Sequence, residues 1–282
     1  MADQQADSFS RRIEANEAAV WARCIDEVGR ASESSSSLSP LTARAVDIGG
    51  ATAFALEGLD SFDVNRALGL GFAGDPRPGA IDEIVSAYRA FGLRRYQLEV
   101  LEEPSSRCES LFEAAGLGRH RDPIWTVWRG VDASAMPERD VPVRTLGPSD
   151  GDALAKLQRI AWGIWEPDQS HDLWFTAPLG KEGFTYFGAF LDDELVAAGA
   201  LFVAADADPT MAWAGFDATH PRLRRQRLRH ELGVARQWRA AELGCEVIHG
   251  DMYLEPKQRT WRLAYRKTRW VPSGSEGTSP VA

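Results

Sequence analysis

Apolar residues recur along the chain with two alternating periods, and the switches between them mark its elements. Ile13, Val20, Trp21, Cys24, Ile25 and Val28 fall three, four or seven apart and predict a helix over Ile13–Arg30. A Ser-rich loop at Ser32–Pro40 follows, then strands at Ala43–Ile48, Ala51–Ala55 and Val64–Gly71, the first two joined at Gly49 and Gly50. Gly74–Glu83 predicts a loop and a helix start. Ile81, Ile84, Val85, Tyr88 and Phe91 form its apolar face, which stops at Gly92. Tyr96–Leu101 is a predicted strand, Ser106–Ala115 a short helix and Ile124–Trp128 a strand of alternating bulky residues.

A similar order begins again past Val131–Pro142, a polar stretch with two prolines. Val143–Leu146 reads as a strand and Gly147–Asp150 as a turn with a helix cap; a helix then carries Leu154, Leu157, Ile160 and Ala161. Trp162, Trp165 and Trp174 lie in a loop-rich stretch. Tyr186–Leu191 and Leu195–Val203 predict a hairpin about Asp192 and Asp193, and Met211–Thr219 the next strand. Leu228, Leu232, Ala235 and Ala241 predict a helix ending near Gly244. Glu246–Gly250 predicts a strand and Gln258–Lys267 a last helix.

The repeated order argues for an α/β (α+β layered) chain of two domains, although no clear sequence repeat accompanies it. The expected boundaries are a disordered tail over 1–12, a domain over 13–130, a linker over 131–142, a domain over 143–271 and a tail over 272–282.

Composition changes this picture at a few points. The net charge is −9, which argues against general nucleic-acid binding, and so makes the arginines at 222, 224, 225, 227 and 229 stand out. No apolar run approaches the ~20 residues that cross a bilayer, and the polar start of the chain lacks the apolar core of a signal peptide. The expectation is a cytoplasmic protein. Cys24, Cys108 and Cys245 are odd in number and far apart, and the histidines show no metal-ligand spacing, so neither a disulfide framework nor a metal site is expected.

The Arg cluster sits where a strand passes through a Pro-containing turn into a helix. Backbone N–H groups converge at such a junction and attract phosphate. From Met211 to Trp238, MAWAGFDATHPRLRRQRLRHELGVARQW resembles the cofactor-binding core of the GNAT-type N-acyltransferases. The order of elements along nearly the whole chain is similar to theirs, and Phe62–Phe72 resembles the N-terminal half of tandem members. The resemblance implies two tandem GNAT-like domains, each a mixed, mostly antiparallel sheet flanked by helices. In that family a Q/R-x-x-G-x-G/A loop holds the pyrophosphate of acetyl-CoA. Here it falls on Arg222, Leu223, Arg224, Arg225, Gln226 and Arg227, with arginine at both glycine positions.

What the resemblance implies for the site is specific. Acetyl-CoA or another acyl-CoA would lie along Asp217, Ala218 and Thr219, with its pyrophosphate over Arg224, Arg225, Gln226, Arg227, Leu228 and Arg229. Guanidinium groups suit that anion, although Arg225 and Arg227 could crowd it. Tyr265 takes the place of the family's general acid on its final helix, if Trp270 occupies the family's Phe position. Asp217 is the candidate base toward an acceptor ammonium, directly or through water, against the preferred alternative of a strand-end polar residue facing solvent. His220 belongs to the turn. Glu166, Asp168, His171 and Asp172 line the expected acceptor loop, where a small-molecule or protein amine would bind. The N-terminal half has no such phosphate loop, and Pro76 and Pro78 remove two N–H donors from the equivalent position, so it is expected to be non-catalytic. Two rival expectations stand beside acyl transfer: a non-catalytic binding or regulatory module, and chemistry on an acyl group carried by a carrier protein or a tRNA.

Overall fold

The computed structural model describes residues 2–36, 38–132, 142–164, 169–224, 226–253 and 261–274, with side chains from residue 8 onward. The chain divides into two compact units, one formed by Met1–Val127 with Asp251–Ser279 and the other by Trp128–Gly250.

The first unit begins with α1 (Ala2–Glu33), which buries the predicted face of Ile13, Val20, Trp21, Cys24, Ile25 and Val28. β1 (Thr42–Ile48) and β2 (Ala51–Glu57) pair antiparallel about Gly49 and Gly50, both at positive φ. β3 (Arg66–Leu70) runs antiparallel to β2 and parallel to β4 (Gln97–Leu101). The crossover is α2 (Pro78–Ala90), whose Pro78 sits in the first turn, where no N–H is needed. Its Ile81, Ile84, Val85 and Tyr88 pack on Ala53, Leu98 and Val100 of the sheet. Two short helices, α3 (Glu102–Arg107) and α4 (Glu109–Ala114), then lead to β5 (Leu117–Arg119) and β6 (Ile124–Gly130).

In the second unit β7 (Val143–Thr145) precedes α5 (Gly151–Trp162) and α6 (Gln169–Thr176). β8 (Phe184–Leu191) and β9 (Glu194–Phe202) form the predicted hairpin, with Asp192 and Asp193 at positive φ. Two successive residues of that hand fit the twist of a tight hairpin. β10 (Met211–Thr219) pairs antiparallel with β9 and parallel with β11 (Val247–Met252), and α7 (Leu228–Glu242) connects those two strands. The sheet order is β11-β10-β9-β8-β7. Both units therefore follow helix, antiparallel strands, helix, parallel strand, as the pattern of the sequence predicts.

The chain finally returns to the first unit. β12 (Arg262–Pro272) lies beside β4, so that unit's sheet runs β1-β2-β3-β4-β12, with β5 also on β12. This corrects the helix predicted over Gln258–Lys267, of which 258–260 lie outside the described residues. Tyr265, Lys267 and Arg269 alternate along the strand and are all buried. Buried polar positions of this kind hide the apolar alternation by which a strand is recognised. The tail expected over 1–12 is also corrected, since α1 begins at Ala2. Within the linker expected over 131–142, residues 133–141 lie outside the described residues.

Candidate functional site

β10 is the strand on which the candidate site is built. Its parallel pairing with β11 covers Met211–Trp213, while β10 itself continues to Thr219. Beyond Trp213 the edge that faced β11 leaves that ladder. Its other edge stays paired with β9, but the register shifts between Gly215 and Ala218, and Phe216 takes a φ of 53°. This is a β-bulge, which bends a strand and re-aims its side chains.

The bulge is held from several sides. Trp174, Phe175 and Trp213 meet the Phe216 ring edge-on, and Tyr186 stacks parallel to it at 6.1 Å. Gln158 of α5, fully buried, donates to the Phe216 carbonyl at 2.8 Å and accepts from the Trp162 indole at 2.9 Å. Trp162 and Trp174 are thus parts of helices, ending α5 and lying within α6. Of the expected acceptor loop, Asp172 pairs with Arg159, and His171 lies on α6. Trp165, Glu166 and Asp168 lie outside the described residues.

Asp217 follows the bulge and pairs with Arg236 of α7, with Arg229 at 3.7 Å from its other oxygen. Burial works against this carboxylate, but Arg236 and then Arg229 outweigh it and hold its pKa below the usual carboxylate range. Gly199 on β9 makes room for the pair: a Cβ there would overlap the Arg236 guanidinium and crowd Asp217. Arg229 and Arg236 share one helix face, seven positions apart. The sequence does reveal that spacing, although nothing in it says which strand carries the partner.

Ala218 and Thr219 complete the strand. His220 then accepts from the Arg222 amide through Nδ1, and Pro221–Leu223 makes one tight turn. Arg224 donates to the Ala161 carbonyl at 3.1 Å and so ties the loop to the end of α5. Arg225 lies outside the described residues. Arg227 caps α7 with φ 58° and ψ 2°, the left-handed conformation that glycine adopts most readily. The backbone thus has a glycine-like conformation at a position occupied by arginine. Arg222, Arg224, Gln226, Arg227 and Arg229 are exposed, while Leu228 is buried against the unit's core. A helix start leaves N–H groups without acceptors in their own helix, and the turn and first residues of α7 carry exposed arginines at 222, 224, 227 and 229.

Several solved structures share this architecture. A GCN5-related N-acetyltransferase from Kribbella flavida superposes with a TM-score of 0.60 at 16% identity, covering 83% of this chain and 90% of its own. A tandem GNAT protein from the clavulanic acid biosynthesis pathway gives 0.55 at 13% identity, with 87% and 92% covered. The fold is that of the GNAT acetyltransferases. A GCN5-related N-acetyltransferase from Sphaerobacter thermophilus also gives 0.55, at 15% identity, over 78% and 76% of the two chains. No family model and no curated protein matches the sequence.

Tyr265 lies on β12, which groups with the first unit rather than with the expected domain over 143–271. Its hydroxyl donates to Glu14 at 2.8 Å, and Phe72 meets its ring edge-on at 5.0 Å. Burial, and then the Glu14 charge, push the phenol pKa well above its ordinary value of 10.0. Next to it Lys267, 0% exposed, reaches Glu99 at 2.7 Å, Glu17 at 3.0 Å, Asp251 at 3.6 Å and Glu14 at 3.7 Å. Arg66, also buried, pairs with Glu99 at 2.9 Å and lies over the Trp21 ring. The sequence reading missed this network because its members are scattered from Glu14 to Lys267 along the chain.

Proposed function

We propose that the second unit binds an acyl-CoA along Asp217, Ala218 and Thr219 and transfers the acyl group to an amine by direct attack on the thioester. The observation that carries this reading is the early end of the β10–β11 ladder beside the start of α7. An open strand edge can pair with an amide-bearing arm, and the adjacent helix start favours a diphosphate. The residues fit such a ligand. The left-handed Arg227 supports the turn, and the exposed arginines can pair bidentately with phosphate oxygens. An acyl-CoA supplies an activated thioester, so no acyl-enzyme is required. The acceptor is a small-molecule or protein amine in this reading.

Asp217 serves here mainly to fix Arg229 and Arg236, because a carboxylate flanked by two guanidinium groups is a weak base. Tyr265 keeps its proton at neutral pH, as a general acid must, and that proton is engaged by Glu14. These two commitments favour one alternative, a unit that binds acyl-CoA without turning it over. Calorimetric titration of acetyl-CoA into the full chain tests the binding. Micromolar affinity, about −8 kcal/mol, is expected, with at least a tenfold loss in Arg222→Glu/Arg229→Glu. Absence of binding by the native chain refutes both readings. Thiol release from acetyl-CoA across an amine panel then separates transferase from binding module.

A further inference from the structure

The first unit contains a cleft that acyl transfer in the second does not use. Its volume is about 410 Å³, within the range of small-ligand sites. α1 forms one wall through Ala15 and Ala18. The β1–β2 turn contributes Gly50 and Ala51, and Phe72 also lines the cleft. Most of these side chains are small, so the walls are largely backbone and methyl groups. Phe72 offers a flat apolar surface, steadied from behind by the edge-on Tyr265 ring at 5.0 Å.

The floor is a carboxylate. Glu14 is 5% exposed and lines the cleft. Its position is fixed on both oxygens: one accepts from the Gly69 amide at 2.8 Å, the other from the Tyr265 hydroxyl at 2.8 Å. The Gly69 amide is available because β3 changes register between Ala67 and Leu70, which takes Gly69 (φ 94°) out of the β4 ladder. Each carboxylate oxygen retains a further lone pair. Below Glu14 lie Glu17 of α1, Glu99 of β4 and Asp251, facing Lys267 of β12 and Arg66 of β3. With Glu17 holding its proton, Glu99 and Asp251 balance Lys267 and Arg66, and the Glu14 carboxylate is the charge left over. Asp47, which accepts from Thr52 at 2.7 Å, and Arg11 also line the cleft.

We infer that this cleft is a binding site for a small organic cation, a protonated amine whose ammonium group donates to Glu14 while its apolar body lies on Phe72 and the Gly50–Ala51 backbone. The negative charge on Glu14 is the excess that selects for positive charge. A neutral molecule of the same shape would leave that excess uncompensated. Burial, opposed by Lys267, raises the Glu14 pKa above 4.5, so a bound cation favours release of a proton from the floor. Affinity therefore rises from pH 4.5 to pH 7.5.

The test is calorimetric titration of the full chain with phenylethylamine, tryptamine and cadaverine, and with 2-phenylethanol as the uncharged counterpart of the first. At least one amine is expected to bind saturably at millimolar concentration or below, tenfold or more tighter than 2-phenylethanol, and more tightly at pH 7.5 than at pH 4.5. Ala15→Phe, on the exposed flank of α1, fills the cleft without touching the charged floor and is expected to abolish binding. Glu14→Gln is expected to weaken it at least tenfold. Failure of all three amines, equal binding of 2-phenylethanol, a reversed pH trend, or full binding by Ala15→Phe each overturns the site. Acetyl-CoA titrations of the same Ala15→Phe protein are expected to be unchanged, so this result and that for the second unit are read separately.

Discussion

Arg227 shows how a single residue can retain a conformation without the residue type that makes it easy. A non-glycine residue in the left-handed region costs about 1–2 kcal/mol, and Arg227 adopts it at φ 58°. Arg227→Gly is expected to change stability by less than about 1 kcal/mol, with a stabilising sign, because relief of strain is partly offset by the greater freedom of an unfolded glycine. Urea unfolding midpoints will show the sign. Glu17 provides a second test at this scale. Burial, and then the neighbouring Asp251 charge, raise its pKa well above 4.5. The folded state therefore holds a proton that the unfolded state releases at about pH 4.5. Its contribution to stability is greatest at and below that pH and falls as pH rises through the folded pKa. The Glu17 contribution is expected to decline as pH rises above 4.5, and Glu17→Gln to flatten that slope. A parallel slope in the two proteins, followed by unfolding midpoints across pH, would remove Glu17 from the account. Asp150 has the opposite sign. A hydrogen bond from Arg144 is the main cause of its pKa of about 2, so its contribution is complete above pH 3.8 and disappears below about 2.

Among the elements, legibility followed the visibility of the apolar period. Met211–Thr219 is a strand with the boundaries predicted, and the faces of α1 and α2 are buried as their spacing requires. β5 spans only Leu117–Arg119, too short for any period to show, and it was missed. β12 was read as a helix because its buried positions include Lys267 and Arg269, whose burial depends on carboxylates and carbonyls supplied by distant parts of the chain. For the same reason the position of the Arg-rich loop was legible and its anchoring was not. Asp217, Arg236 and the room left by the missing side chain of Gly199 come together only when α7 packs on the sheet. Gly199→Ala would force that pair apart, an overpacking loss of about 1–3 kcal/mol. Thermal denaturation and acetyl-CoA titration of Gly199→Ala are expected to show both destabilisation and weaker binding. Unchanged binding at reduced stability would confine the pair to a structural role.

At the scale of the whole molecule, sequence order and unit membership differ. Asp251 onward groups with Met1–Val127, and β12 supplies the neighbour of β4 together with the lysine that compensates Glu14, Glu17, Glu99 and Asp251. Removing one partner from such buried charge groups costs about 3–5 kcal/mol, and ending the chain after Gly250 removes the strand as well. That truncated protein is expected to keep a protease-resistant core within Trp128–Gly250 and to lose resistance in Met1–Val127. Limited proteolysis with mass mapping of the fragments checks this, and equal resistance of both regions would contradict it. Among the described residues no helix is long and apolar enough to cross a membrane.

The hydrogen bond from Tyr265 to Glu14 closes a loop of 251 residues. On a ribosome working at about 5–20 residues per second, roughly 12–50 seconds separate the synthesis of its two ends. Through that interval α1 holds carboxylates whose lysine has not yet been made, and from its own synthesis onward β4 has an unpaired edge. The second unit, contiguous from Trp128 to Gly250, emerges whole while the first waits for its strand. Birth order and completion order are thus reversed: the oldest part of the nascent chain is the last to mature, and it is there, at the open edge of β4, that a chaperone would be needed.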